Sequence, residues 1–94
     1  MALGVNPKEF TAAGQSYAEN CRIGALVWSG TTTAGDVVYV KKLSDGTTVW
    51  RSQASRANTY QGLVVGDPGI PCPDGFTITT MTAGTYLLVY FVEV

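Results

Sequence analysis

Residues 84–94 read GTYLLVYFVEV, and this apolar run decides how the rest of the chain must be arranged. Successive side chains of an extended strand point to opposite faces. One face of this segment is apolar or aromatic throughout: Tyr86, Leu88, Tyr90, Val92 and Val94. The other face carries Leu87, Val89, Phe91 and Glu93. A strand with one wet face alternates apolar with polar residues, so we expect both faces of this strand to be covered.

Two arrangements would cover both faces. In the first, the strand is the central strand of a sheet, with a second sheet inside and long side chains or the N-terminal segment outside. In the second, the outer face meets a neighbouring subunit, a role that suits tyrosine because its ring is amphipathic and enriched at interfaces. The candidate oligomer interface consists of Tyr86, Leu88, Tyr90 and Val92.

Runs rich in β-branched and aromatic residues predict further strands upstream. They occupy residues 22–30, 36–43, 47–54, 59–65 and 76–82. The Asp45-Gly46 turn predicts a hairpin between the second and third runs. We also predict a hairpin between the first two runs across TTTAG, and another between residues 76–82 and the last strand across Ala83-Gly84. The glycine within residues 59–65 suggests a bulge.

The pattern predicts an all-β domain, a small antiparallel β-sandwich or barrel of about six to seven strands over residues 21–94. No segment shows a helical period over ten residues. Residues 66–75 hold three of the four prolines, which argues against a helix or central strand there. Residues 1–20 are Ala, Gly and polar residues without a sustained period, and we interpret them as an N-terminal arm.

Composition argues against several classes of partner. Six basic and seven acidic residues are scattered along the chain, with Lys41 and Lys42 the one adjacent pair of like charge, so there is no basic stripe to bind nucleic acid or an anionic membrane. The longest unbroken apolar run, residues 86–92, is far shorter than the roughly 20 residues of a membrane-spanning helix. The first residues lack the pattern of a secretory signal peptide. We therefore expect no nucleic-acid partner, no membrane partner and no secretion by that route.

Catalytic chemistry is not expected. Histidine is absent, which removes the usual general base and the usual catalytic metal ligand. Cys21 and Cys72 are the only cysteines, too few for a zinc site without other ligands. They either form one disulfide or remain reduced, small and mostly buried. The sequence predicts a non-enzymatic protein with no cofactor and no metal.

Aromatic residues on the strands offer another interpretation, a platform for sugar rings. Its candidate members are Trp28, Tyr39, Trp50 and Tyr60. Exposed aromatic side chains beside Arg51, Gln53 and Gln61 would favour sugar binding, whereas buried ones would make the tryptophans part of the core.

Size adds a physical argument for self-association. A domain of 94 residues has a thin core whose burial barely offsets the entropy of ordering the chain. Small domains therefore add a disulfide, a metal or oligomerisation. No metal is expected, and the sequence does not decide whether the two cysteines form a disulfide. We therefore expect oligomerisation to stabilise the domain.

The pattern of residues 21–91, in which residues 21–50 are followed by a short strand and residues 69–91, resembles small β-rich structural proteins encoded among the head and tail genes of tailed bacteriophages. The matching parts are a strand ending in SGTTTAGDV, the Asp-Gly hairpin, and a Pro-Gly-rich loop leading into GFTITTMTAGTYLLVYF. The resemblance covers about three quarters of the chain.

This resemblance implies a virion component assembled in the host cytoplasm. It favours a capsid decoration or cement protein that binds the major capsid protein lattice as a homo-oligomer, with a trimer favoured. Val5, Phe10 and Tyr17 of the arm are the candidate capsid-anchoring residues. The alternatives are a tail or head-tail connector component, and a carbohydrate-binding adhesion module.

Overall fold

The computed structural model describes residues 2–3, 7–31, 33–56, 61–66 and 68–93, and the regular structure in these residues is β-strand throughout. Ten strands follow one another along the described chain: β1 (Ala2–Leu3), β2 (Lys8–Phe10), β3 (Ser16–Tyr17), β4 (Cys21–Ser29), β5 (Val37–Lys42), β6 (Thr48–Gln53), β7 (Gln61–Val64), β8 (Ile70–Cys72), β9 (Phe76–Met81) and β10 (Tyr86–Glu93). The prediction of a small all-β sandwich is confirmed.

The strands form two antiparallel sheets. In the larger, six-stranded sheet, β10 pairs with β4 at the centre; β1 and β2 pair with the other side of β10, and β7 and β8 with the other side of β4. The smaller sheet has four strands in the order β3-β9-β5-β6. The apolar C-terminal strand is therefore central, as the first of the two arrangements requires.

The core lies between the two sheets. β10 contributes Leu87 and Val89, which alternate with less buried neighbours. The remaining fully buried core side chains come from both sheets: Ile23, Leu26, Trp28, Val38, Val40, Cys72, Phe76 and Ile78. Inward-facing residues at every second position of the long strands build this layer, as expected for a sandwich.

The Asp-Gly hairpin between β5 and β6 is confirmed. The Thr47 amide donates a hydrogen bond of 2.9 Å to Asp45 Oδ1. Hydrogen bonds from the side chain and the amide of Thr47 lower the pKa of the Asp45 carboxyl. The turn residues thus close the hairpin as their side-chain chemistry predicts.

The other two predicted hairpins are wrong, because β4 and β5 lie in different sheets and so do β9 and β10. β4 pairs with β10, and β5 pairs with β9. A short polar turn fits a hairpin and a crossing between sheets equally well, since both need only a tight reversal. A crossing places the apolar faces of successive strands opposite each other, in different sheets. The burial of these faces between the sheets favours the crossing over the hairpin.

Hydrogen bonds fix these two crossings at one end of the sandwich. Thr82 binds β5 through its side chain and its amide: the Val37 amide donates to Thr82 Oγ1 at 2.9 Å, and the Thr82 amide donates to the Val37 carbonyl at 3.0 Å. The buried Thr85 hydroxyl then donates to the Thr82 carbonyl at 2.7 Å. These bonds satisfy polar groups where the chain leaves one sheet for the other.

Gly30 allows the two crossings to touch. Its φ of +84° favours glycine, and an added Cβ would lie 3.1 Å from the Gly84 carbonyl oxygen and 2.8 Å from the Tyr86 ring. A side chain at this position would push the crossings apart.

The N-terminal segment contributes strands to both sheets. The interpretation of residues 1–20 as an arm is therefore wrong for the residues of this segment that the structure describes. β2 pairs with β10 and β3 pairs with β9. Phe10 is only 2% exposed and packs edge-on against Phe76, with 5.4 Å between ring centroids. The Tyr17 ring lies 4.9 Å from that of Phe91. These aromatic side chains are part of the small core or pack against it. Composition alone did not predict this location.

A bulge is present in the larger sheet, but not at the predicted glycine. β7 pairs with β4 in an unbroken register through Gly62. The irregularity falls on β4, where Tyr90 pairs with Ala25 and Phe91 with Ile23, so Gly24 is the extra residue. The Gly24 carbonyl accepts hydrogen bonds from the Val65 and Gly66 amides, at 2.8 and 3.1 Å. Gly62 instead permits close approach, since an added Cβ would lie 2.7 Å from the Leu26 carbonyl oxygen.

Leu87→Ala tests the position of the core. The side chain is fully buried, so we expect the free energy of unfolding to fall by about 2–5 kcal/mol through lost transfer energy and a residual cavity. Leu43→Ala is the matched control, because Leu43 is exposed on the β5–β6 turn, and we expect a change below about 0.5 kcal/mol. Urea denaturation at one protein concentration measures both, and equal effects would contradict the assigned core.

Candidate functional site

The larger sheet carries apolar side chains on the side that faces away from the core. We call this the apolar outer face and define it by five residues on β10, β4 and β7: Tyr86, Leu88, Tyr90, Val27 and Val64. Leu88 pairs with Val27, and Tyr90 pairs with Ala25, which in turn pairs with Val64. The five side chains therefore form a continuous band across three adjacent strands.

Solvent reaches this band to different extents. Val64 is 75% exposed and Tyr86 is 48% exposed. Val27, Leu88 and Tyr90 are half-buried by their neighbours within the sheet. The two exposed side chains lie at opposite ends of the band, and the half-buried ones lie between them. A contiguous apolar surface of this kind is typical of interaction surfaces.

Val92 does not belong to this band, although the sequence placed it there. It is only 5% exposed. Its own chain covers it, since a Cβ added to Gly69 would lie 2.8 Å from Val92 Cγ2. Three of the four predicted interface residues thus remain on the accessible part of the face.

Charged residues flank the apolar outer face. Glu9 on β2 is the register partner of Leu88, and Arg22 on β4 is the partner of Pro71 on β8. Both charged residues are exposed. An apolar centre with a charged rim is the usual anatomy of a protein–protein interface.

The smaller sheet has a different, polar outer face. Tyr39 on β5 pairs with Arg51 on β6 and with Thr80 on β9. A cavity of about 370 Å³ on this side is lined by Tyr39, Arg51, Ser52 and Gln53. The two faces of the sandwich therefore differ in chemistry, and the larger sheet has the apolar one.

The structure does not bring the predicted sugar platform together. Trp28 is fully buried, at 0% exposure. Trp50 is half-buried and packs against the core. Tyr39 alone faces outward beside Arg51 and Gln53, and Tyr60 lies outside the described residues.

The predicted anchoring residues do not form an exposed anchor in the described part of the chain. Phe10 is a core residue and Tyr17 packs on the Phe76 and Phe91 rings. Val5 lies outside the described residues. Neither Phe10 nor Tyr17 extends from the domain as a free anchor would.

Two further findings concern chemistry and membranes. Among the described residues, no group of three or more Asp, Glu, Cys or His side chains is placed to hold a metal ion. The same residues include no helix long and apolar enough to cross a membrane.

Comparison of the chain with protein-family models, with curated proteins and with solved structures finds no match.

Val27 and Val64 belong to the site but were not predicted from the sequence. The run IGALV on β4 is apolar at every position, so alternation does not reveal which of its side chains face outward. Val64 adjoins the apolar outer face only through the register between β7 and β4. The pairing of β4 with β7 and β10, which the sequence did not predict, was needed to find both.

Tryptophan fluorescence tests the placement of the aromatic residues. The chain has two tryptophans, so Trp50→Phe isolates Trp28, whose emission should be blue-shifted and barely quenched by acrylamide because the ring is buried. The matched variant Trp28→Phe isolates the half-buried Trp50, which should be quenched more strongly. Efficient quenching of Trp28 would contradict its burial and would support the interpretation of the aromatic residues as a platform for sugar rings.

Proposed function

We propose that this protein is a non-enzymatic structural component of a tailed-bacteriophage particle, a capsid decoration or cement protein. In this proposal it associates with its own copies, with a trimer favoured, and stabilises the head by bridging subunits of the major capsid protein. The resemblance of residues 21–50 and 69–91 to such proteins supplies the biological setting. The apolar outer face supplies the physical basis of the interaction.

One observation carries the proposal: the two sheets differ in what they present to solvent. The larger sheet exposes Tyr86 and Val64 beside Leu88 and Tyr90, whereas the smaller sheet exposes Arg51 and other polar residues. A monomer would gain nothing from this asymmetry. A protein that packs one sheet against a partner and leaves the other in water requires it.

The size of the surface fits this role. A standard protein–protein interface buries about 800 Å² per partner. The molecule has principal extents of 37, 25 and 17 Å, so its broad side has room for such an interface. Many copies on a regular shell would then combine modest single contacts into tight binding through avidity.

Binding in this proposal does not depend on the N-terminal aromatic residues. Phe10 and Tyr17 stabilise the domain itself, so removing residues 1–17 would damage the fold as well as any contact with the capsid. Substitutions on the apolar outer face separate these effects.

The two alternatives would use different surfaces. A tail or head-tail connector component would use the same apolar outer face against a different partner in the particle. A carbohydrate-binding module would use the cavity beside Tyr39, where the Arg51 and Gln53 side chains offer hydrogen-bonding groups.

Co-sedimentation with shells assembled from the major capsid protein of the same phage tests the proposal. The wild-type protein should sediment with the shells. Val64→Glu should reduce the bound fraction at least tenfold, because a carboxylate would lose its hydration within an apolar contact. Val64 is largely exposed within the chain, so this variant should still fold, with the unfolding temperature that the wild-type protein has when dissociated at high dilution.

Thr80→Glu is the matched control, since it adds the same charge to the polar outer face of the smaller sheet. It should sediment like the wild type. Wild-type protein that stays in the supernatant would overturn the decoration role. Binding to purified tails instead of shells would support the connector alternative, and loss of binding with Thr80→Glu alone would move the contact to the smaller sheet.

A further inference from the structure

Cys21 and Cys72 are direct register partners across β4 and β8. Both are free thiols. They lie 51 positions apart in sequence, and it is the antiparallel pairing of β8 with the start of β4 that brings them together. The juxtaposition therefore depends on the folded state.

The geometry of directly opposed residues suits a disulfide. Opposed residues on antiparallel strands have Cα atoms about 4.5–5.5 Å apart. Disulfide-bonded cysteines typically have Cα separations of about 4.4–6.8 Å. The bond can thus form without moving either strand out of its sheet.

Access to the two thiols is unequal. Cys72 is 0% exposed and belongs to the core. Cys21 is half-buried and lines a surface cavity of about 280 Å³ together with Tyr17, Asn20 and Phe91. A small reactant can therefore reach Cys21, whereas the fully buried Cys72 does not line the cavity.

We propose that Cys21 and Cys72 form a dithiol–disulfide site, in which Cys21 reacts with an external small-molecule disulfide and Cys72 closes the bond. The site is independent of the proposed capsid role. It is a place of covalent modification that locks the edge strand β8 onto β4.

The reaction proceeds by two thiol–disulfide exchanges. Cys21 loses its proton to solvent and its sulfur attacks the external disulfide, whose S–S bond breaks and releases one thiol. The Cys72 thiolate then attacks Cys21 Sγ in the mixed disulfide, and the second external thiol leaves with the remaining proton. The protein loses two electrons and two protons, and the external disulfide becomes two thiols.

In the dithiol form, the hydrogen bond between the two sulfurs lowers the pKa of Cys72 and, together with burial, raises the pKa of Cys21. Attack by Cys21 therefore requires this hydrogen bond to open. Once Cys21 is in the mixed disulfide it no longer donates a hydrogen bond, and the Lys42 ammonium then favours the Cys72 thiolate against the opposing effect of burial.

The disulfide would constrain the chain between the two cysteines. It would close residues 22–71, which include β5, β6 and β7, into a loop. Closing a long loop restricts the unfolded chain and raises the unfolding temperature. We expect a shift on the order of 10 °C for a domain of this size.

The test uses the wild-type full chain incubated with oxidised glutathione at about pH 8, near the usual pKa of a thiol. Intact mass spectrometry should show the loss of two hydrogen atoms without a glutathione adduct. Peptide mapping should link Cys21 to Cys72, and the unfolding temperature should rise and return to its original value after reduction with dithiothreitol.

Two variants assign the roles of the thiols. Cys72→Ser should stop at a glutathione adduct on Cys21, and Cys21→Ser should leave the buried Cys72 unmodified in the folded protein. A persistent glutathione adduct on the wild type, a disulfide between two chains, or no change in mass while the fold is intact would each overturn the proposal. The wild-type result is decisive even if a variant fails to fold.

Discussion

The constraint on which the structure depends is that β10 has apolar side chains on both faces, while its own domain provides only one layer to cover them. The smaller sheet packs on Leu87 and Val89. On the opposite side, the chain covers Val92 through Gly69 but leaves Tyr86 exposed. With 94 residues, the domain has no third layer among its described elements. The central position of β10 places this uncovered surface in the middle of the larger sheet, where a partner can contact several strands at once.

The thin core also explains why the N-terminal segment is part of the fold. Phe10 and Tyr17 join Phe76 and Phe91 in an aromatic cluster that bridges the two sheets. Aromatic side chains bury a large area each, and a small domain needs that area. Residues that would serve an extended protein as an anchor are here required for stability, so the surface left for partners is that of the larger sheet.

Local patterns in the sequence predicted the six strands β4, β5, β6, β7, β9 and β10, the Asp45-Gly46 hairpin and the two faces of β10, because alternation and turn chemistry act over a few residues. The short strands β1, β2, β3 and β8 were not predicted, since two or three residues carry no alternation. Strand partners were not predictable in the same way. The TTTAG and Ala83-Gly84 turns fit either a hairpin or a crossing, and distant hydrogen bonds such as that from Val37 to Thr82 accompany the crossing. For the same reason Val64 and the opposition of Cys21 to Cys72 emerged only from the register of non-local pairs.

The proposed association through the apolar outer face follows from the side of β10 that its own domain leaves uncovered. The most direct measurement is the molar mass of the purified wild-type protein by light scattering over a dilution series. We expect a closed oligomer, a trimer in the favoured case, whose mass falls towards that of the 10.0 kDa chain only at high dilution. A protein that remains monomeric at every concentration and still unfolds cooperatively would contradict it, because the exposed apolar side chains would then need no partner.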